Sequence, residues 1–263
     1  MLNNPKFSLP EVSIVICTRN RGASAIATIE SALANTHPNF EVMLVDQSTN
    51  DRTKAAINPF LSLPHFRYVP TDTVGAGSAR QIGLQEARGE VVAYTDDDCT
   101  VTPDWLSGLS AIFQQNERVA IVCCRVDPAP YDQTKGYVPC YEIKKNRTLR
   151  TMRDCFHGLG LGAGMAVRRR ILLSIGGFDR NLGPGSVFRA GEDHDIFIRA
   201  ILNNCHVYET PEIAVLHFGM RTWTEGKEHS KRDWFSGGAT YIKPVKCGYL
   251  NAGIMLVSYP MLR

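Results

Sequence analysis

The chain has 263 residues, 44% of them hydrophobic, and a net charge of +3. That length suits one large domain or two modest ones with a full core. The weak, scattered basicity argues against nucleic acid as a partner. Eight cysteines without a CxxC pair read as reduced thiols in a cytosolic protein, not as a disulfide frame or zinc site. No secretory leader is expected in the polar, proline-bearing stretch 2–10, and no apolar run approaches the ~20 residues that span a bilayer. The short apolar run 253–257 reads as a core element, an interfacial helix or the edge of a longer protein.

Taken in order, the apolar run 12–17 predicts a buried parallel strand, and 23–33 carries helical spacing through Ile26, Ile29 and Leu33. A second strand is predicted at 42–45 and a short helix at 53–57, stopped by Pro59. A third strand (66–69), a helix (78–87) with Gly89 beyond it, and a fourth strand (91–94) follow. Pro103 suits the first turn of a helix carrying Trp105, Leu106, Leu109 and Ile112, before a fifth strand at 119–123. This alternation predicts an α/β fold with a mostly parallel sheet covered on both faces. From 127 to 156 the periodicity fades, and a long irregular excursion is expected, of the kind that is usually functional or disordered. Order resumes at 162–167, with helices at 171–175 and from Glu192 to Leu202, and short strands at 207–208 and 213–216.

Ligands in such sheets bind outside the carboxyl ends of the strands. Three polar clusters fall there: Thr18-Arg19-Asn20, Asp46-Gln47-Ser48-Thr49 and Asp96-Asp97-Asp98. Three adjacent carboxylates repel one another; a hard divalent ion bound through one or two of them plus substrate phosphates would offset that repulsion, and an acidic turn with its carboxylates in water is the alternative. In extended geometry Asp96 and Asp98 share a face, and Asp97 turns away as a solvated or capping carboxylate.

Six motifs in order then resemble the family 2 glycosyltransferases, which have the GT-A fold. They are the opening strand through Thr18-Arg19-Asn20, the strand ending in Asp46, and Gly75-Ala76-Gly77-Ser78-Ala79-Arg80-Gln81. Asp96-Asp97-Asp98 with Pro103-Asp104-Trp105-Leu106, Gly176-Gly177-Phe178-Asp179 and Gly191-Glu192-Asp193 complete the set. Two positions depart from the family: Gln47-Ser48 stands where a second acid and glycine are common, and Gln81 replaces a familiar asparagine.

The resemblance implies a single GT-A domain. Residues 10–125 would hold the nucleotide sugar, 126–223 would face the acceptor, and 224–263 would form a lid or membrane-proximal segment. It implies an inverting transferase using Mn²⁺ or Mg²⁺ and a nucleotide-sugar donor, UDP-linked by analogy. The acceptor would be a glycan, a lipid-linked sugar or a small molecule, met in the cytoplasm or at the inner face of the membrane. Asp98 is the implied metal ligand, Asp96 supports the ribose or the metal shell, and Asp46 meets the base near Thr18 and Arg19. His217, at a strand end, is a candidate third ligand, with a structural histidine as the alternative. Arg80 and Arg221 suit the diphosphate, since guanidinium matches phosphate geometry. Asp193 is the first candidate for general base and Glu192 the second. Trp223, Trp234 and Phe235 suit sugar stacking or core packing, and the glycine-containing region after Leu216 is expected to be a mobile lid. Two other readings compete. A sugar-phosphate nucleotidyltransferase would carry a more glycine-rich first loop, and a non-catalytic sugar-binding module would not need Asp98 and Asp193.

Overall fold

The computed structural model describes residues 11–157 and 159–253. The first half is strand–helix alternation: β1 (Val12–Thr18), α1 (Ile26–Leu33), β2 (Phe40–Asp46), α2 (Arg52–Ala56), β3 (Phe66–Pro70), α3 (Ala76–Glu86), β4 (Val91–Asp96), β5 (Cys99–Val101), α4 (Trp105–Gln115) and β6 (Val119–Pro128). Two short strands, β7 (Gly136–Tyr137) and β8 (Arg147–Leu149), punctuate the excursion. Then come β9 (Met165–Arg168), α5 (Arg169–Ser174), α6 (Glu192–Leu202), β10 (His206–His217), β11 (Arg221–Thr222) and α7 (Trp223–Lys246).

One sheet carries nine of the strands, in the order β3-β2-β1-β4-β9-β6-β10-β5, with β8 added to β10. The β3-β2-β1-β4 half is parallel, as expected. The other half is mixed, because β9 runs antiparallel between β4 and β6. The two short strands expected at 207–208 and 213–216 are one strand, β10, which follows β6 through an irregularity between Thr210 and Ala214.

Alternate strand residues feed two cores, one on each side of the sheet. Val15, Met43, Val45, Val92 and Tyr94 face α3 and α6, whereas Ile14, Ile16, Leu44 and Ala93 pack with Ile29, Trp105 and Leu109. Burying each such side chain contributes about 1.5–3 kcal/mol. That sum fixes the strand register, since a one-residue slip would turn every apolar side chain outward. Register in turn fixes the site: Thr18 lies opposite Asp46, and Cys17 opposite Asp96, so the polar ends of β1, β2 and β4 are level.

The region after Leu216 differs from expectation. It folds as a 24-residue helix, started by a capping box in which Thr222 Oγ1 accepts from Glu225 N and the Glu225 carboxylate accepts from Thr222 N. Lys243 of α7 reaches Asp179 and Asp195 at 2.8 Å each, so α7 is tied to α6 and to the Gly176-Gly177-Phe178-Asp179 turn. Gly191 has φ +90°, and a Cβ there would collide with Thr240 of α7; only glycine allows α6 to start this close. No helix among the described residues is long and apolar enough to cross a membrane. Both 2–10 and all but the first residue of the apolar run 253–257 lie outside the described residues. All eight cysteines are free.

Candidate active site

A cavity of about 810 Å³ opens at the carboxyl edge of the sheet. On one side it meets Arg21, Asp96, Asp97, Asp98 and His217; on the other, Glu192, Asp193 and the start of α7.

The three aspartates do not continue as a strand. β4 ends at Asp96, and Asp97-Asp98 form a turn into β5. Each carboxylate therefore points at a different partner. Asp96 pairs with Arg80 at 2.8 Å. Asp98 lies 3.2 Å from His217 Nε2 and 3.1 Å from Arg21. Asp97 is not solvated, contrary to expectation. It is buried, accepts from Thr18 Oγ1 at 2.6 Å, and meets Arg21 Nε at 3.2 Å. The turn replaces alternation of extended residues, so the middle side chain points inward.

Electrostatics separate the three. Burial pushes Asp97 up to about 6, against the Thr18 hydrogen bond and the Arg21 charge. Burial also acts to raise Asp98, but the His217 hydrogen bond and the His217 and Arg21 charges outweigh it and hold Asp98 below the usual range. Asp98 thus stays ionised while Asp97 resists ionisation. For Asp97 the folded pKa lies above the unfolded value. The stability this group contributes is therefore complete below about pH 4 and is lost as pH rises through about 6. In metal-free buffer, Asp97→Asn should gain thermal stability relative to wild type between pH 4 and pH 7. A difference that is flat with pH would remove Asp97 as the responsible group.

His217 ends β10 opposite Cys99 of β5. Its Nδ1 sits 2.8 Å from the Pro139 carbonyl; with Nδ1–H donating there, the protonated ring donates Nε2–H to Asp98, and loss of that proton would free Nε2 for a cation. Ligand atoms of Asp98, Cys99 and His217 lie within 4.8 Å of one another. Burial keeps the Cys99 thiol protonated, so it is a poor ligand for a hard ion, and Asp98 with His217 form the useful pair. Space for an ion is kept by Gly219. A Cβ there would lie 2.6 Å from Asp98 Oδ2 and 2.7 Å from His217 Nε2. The residues fit a divalent cation with substrate oxygens completing its shell. Gly219→Ala should weaken Mn²⁺-dependent nucleotide binding about 10-fold or more with an unchanged melting temperature, read by calorimetric titration.

Other predicted residues fall as follows. Thr18 and Asp46 are buried at level strand ends; Asp46 accepts from Ser48 N and from Tyr68 Oη at 3.0 Å. Arg19 is exposed at the end of β1, and Arg221 is half-buried beside the cavity. Arg80 is fully enclosed and bridges Asp96 and Glu192. Glu192 is buried with it, whereas Asp193 is half-exposed, its Oδ2 accepting from Gly162 N at 3.0 Å and its Oδ1 from His194 N. Burial lifts Glu192 to about 7, against the Arg80 charge. The two family departures have structural work. Gln47 donates to Thr73 Oγ1 and the Gly75 carbonyl, fixing the loop before α3, and Gln81 accepts from Phe178 N at 2.7 Å. Trp223 packs on Tyr137 and Phe235 on Phe188, and neither they nor Trp234 line the cavity.

Sequence reasoning passed over Arg21 and Gly219. Both depend on turns. Arg21 is aimed by Asn20 (φ +58°) and Gly22 (φ +56°), with Asn20 Oδ1 accepting from Thr49 N. Only the Asn-Arg-Gly string after β1 hinted at that bend.

A parallel half-sheet ending in acidic groups, continued by a mixed half that returns a histidine to them, is the GT-A architecture. The same fold is found in a mannosyltransferase from Pyrobaculum calidifontis solved with GDP-Man and Mn²⁺ (TM-score 0.69, 16% identity, 97% of this chain and 73% of that one). It is found also in S. aureus TarS 1–349 with UDP-GlcNAc (TM-score 0.65, 18% identity, 80% and 59%). The family model for glycosyl transferase family 2 matches residues 13–176, and the chain belongs to that family. A glucosyl-dolichyl phosphate glucuronosyltransferase of Haloferax volcanii is 26% identical over 195 residues, covering 70% of this chain and 59% of its own length. A beta-monoglucosyldiacylglycerol synthase of Trichormus variabilis is 27% identical over 247 residues, covering 88% and 49%. The chain thus spans about half to three-fifths of these relatives. Asp193, His217 and Gly219 lie beyond the matched segment 13–176, and their placement comes from the structure.

Proposed function

We propose that the chain is a metal-dependent, inverting glycosyltransferase that moves a sugar from a UDP-linked donor to an acceptor hydroxyl. The observation that carries this reading is the facing of two acid groups across one cavity: Asp98 with His217 on the sheet edge, and Asp193 at the start of α6. The separation of roles follows from their surroundings. Asp98 is held ionised by its cationic neighbours, as a ligand must be, while Asp193 is half-exposed and open to an incoming hydroxyl.

In this reading the first three strand ends take the nucleoside, through Thr18, Arg19 and Asp46. Asp98, Asp96 and His217 would hold Mn²⁺ or Mg²⁺, which would supply Lewis-acid neutralisation of the diphosphate leaving group. Arg80 acts on the donor through Asp96, which it holds at 2.8 Å, and Arg221 lines the same cavity. The Asp193 carboxylate removes the acceptor proton as the hydroxyl oxygen attacks the anomeric carbon opposite the departing UDP. The two backbone N–H groups that bond Asp193 fix its orientation. One direct displacement inverts the anomeric centre.

The test is a panel of UDP-, GDP- and dTDP-sugars, read by Mn²⁺-dependent thermal stabilisation and then by proton NMR of the product anomer. UDP-sugars should stabilise the protein most, and the product anomer should be opposite to that of the donor. Asp193→Asn should lower transfer on the order of 10²–10⁴-fold with UDP–Mn²⁺ affinity unchanged, the range of a lost general base. Retained transfer in that variant, or a retained anomeric configuration, would refute the assignment.

A further inference from the structure

We propose that the wall formed by Arg189, Arg232 and His229 binds a phosphate group carried by the acceptor. The inference rests on the transferase reading above and names the acceptor's class. All three residues line the cavity on its α6–α7 side, with Arg221 at the border toward Gly219.

The arginines of this chain show why the wall is unusual. The half-buried Arg67, Arg125, Arg147, Arg168 and Arg199 each reach a carboxylate. Arg169 spends its guanidinium on the carbonyls of Leu84 and Gln85. Among the described residues, the half-buried arginines without such a commitment are Arg221 and Arg232, and both line this cavity. Arg232 goes further: its Nε is buried without a hydrogen-bond partner. An unsatisfied buried donor costs about 1–3 kcal/mol, and more when charged. Asp233 also lines the cavity here, as do Glu192 and Asp193 at the start of α6, together with the guanidinium groups of Arg189, Arg221 and Arg232. Burial, with the positive charge of Arg221 and Arg232 and against the carboxylates of Asp233 and Glu225, holds the His229 imidazole below its usual range. These cations share a space that a negative group would neutralise.

Phosphate fits better than carboxylate. It offers three acceptor oxygens and close to two charges, matching two guanidinium forks and an imidazole. Its origin follows from position. The donor's diphosphate is drawn to the Asp98–His217 end. Arg189 lies in the loop that enters α6 and Arg232 on α7, and both line the same cavity as Asp193, so an anion there shares the cavity with the base proposed to receive the acceptor hydroxyl.

The experiment titrates inorganic phosphate into the full chain in EDTA, where the aspartate wall repels anions and gives no metal-borne phosphate site. Calorimetry should give a millimolar or tighter Kd, raised 10-fold or more in Arg232→Ala and in Arg189→Ala and unchanged in the distant Arg118→Ala. Arg189 is exposed, so its variant reads the site without threatening the fold. Phosphate binding should persist when UDP and Mn²⁺ saturate the donor site. No phosphate binding in wild type, or wild-type affinity in the two wall variants, overturns the proposal. So does displacement of phosphate by UDP and Mn²⁺, which would make the wall part of the donor site. None of these results touches the Asp98 and Asp193 assignments, which are tested by metal-dependent donor binding and turnover.

Discussion

Asp98→Asn is expected to lower turnover by about 10³-fold, the equivalent of the several kcal/mol that a Lewis acid supplies to a diphosphate leaving group. The loss should appear first in binding: Mn²⁺-dependent affinity for UDP falls, while the weak metal-free affinity for UDP is retained. The fold should survive. Asp98 is partly exposed, and an amide keeps its shape while its one oxygen still accepts from Arg21 or from His217. A melting temperature near wild type, together with a lost manganese signal by electron paramagnetic resonance, separates a ligand from a structural acid. Wild-type Mn²⁺ affinity for this variant would end the metal assignment, and with it the donor half of the mechanism. Asp97→Asn offers a contrast, because Asp97 faces Thr18 and the sheet edge. Its variant should keep the manganese signal.

The elements that could be read from sequence were those whose burial is periodic. β1, β2 and β4 are short apolar runs with polar ends, and the level register of Thr18, Asp46 and Asp96 follows once they pair in parallel. α6 was legible from Ile196, Ile198 and Ile201, which all turn into one core. α7 was not, because Gly226, Gly237 and Gly238 look like loop residues. Gly226 is there to let the Tyr137 ring lie against the helix, and the capping box at Thr222 and Glu225 was the available signal. β9 was legible as apolar, but its antiparallel direction depends on partners far away in the chain. The site divides the same way. Carboxylates at strand ends were visible as residue types. Which of them is buried, ionised or paired was not, since that depends on the turn at Asp97-Asp98 and on a histidine more than a hundred residues later.

The largest stability effect is expected at Arg80. Its guanidinium is buried between Asp96 and Glu192, with Gly162 leaving room: a Cβ there would lie 2.8 Å from the guanidinium. Arg80→Met keeps much of the side-chain volume but leaves Glu192 buried without its cation. Removing one partner of a buried pair costs about 3–5 kcal/mol, which lowers the melting temperature by roughly 10 °C in a chain of this size. The pH dependence identifies the cause. Burial already holds Glu192 above its ordinary value, so its stabilising contribution is complete below about pH 4.5 and is lost as pH rises through about 7. Without Arg80 the ionised form is disfavoured further, so the deficit of Arg80→Met should be smaller at pH 5 than at pH 8. Adding Glu192→Gln should recover part of the loss at pH 8 and little at pH 5, a coupling that two independent sites would not show. A deficit independent of pH, with no recovery in the double variant, would mean that Arg80 supports the fold by packing alone. The link it makes between Asp96 and the start of α6, where Asp193 is proposed to receive the acceptor, would then carry no energetic weight.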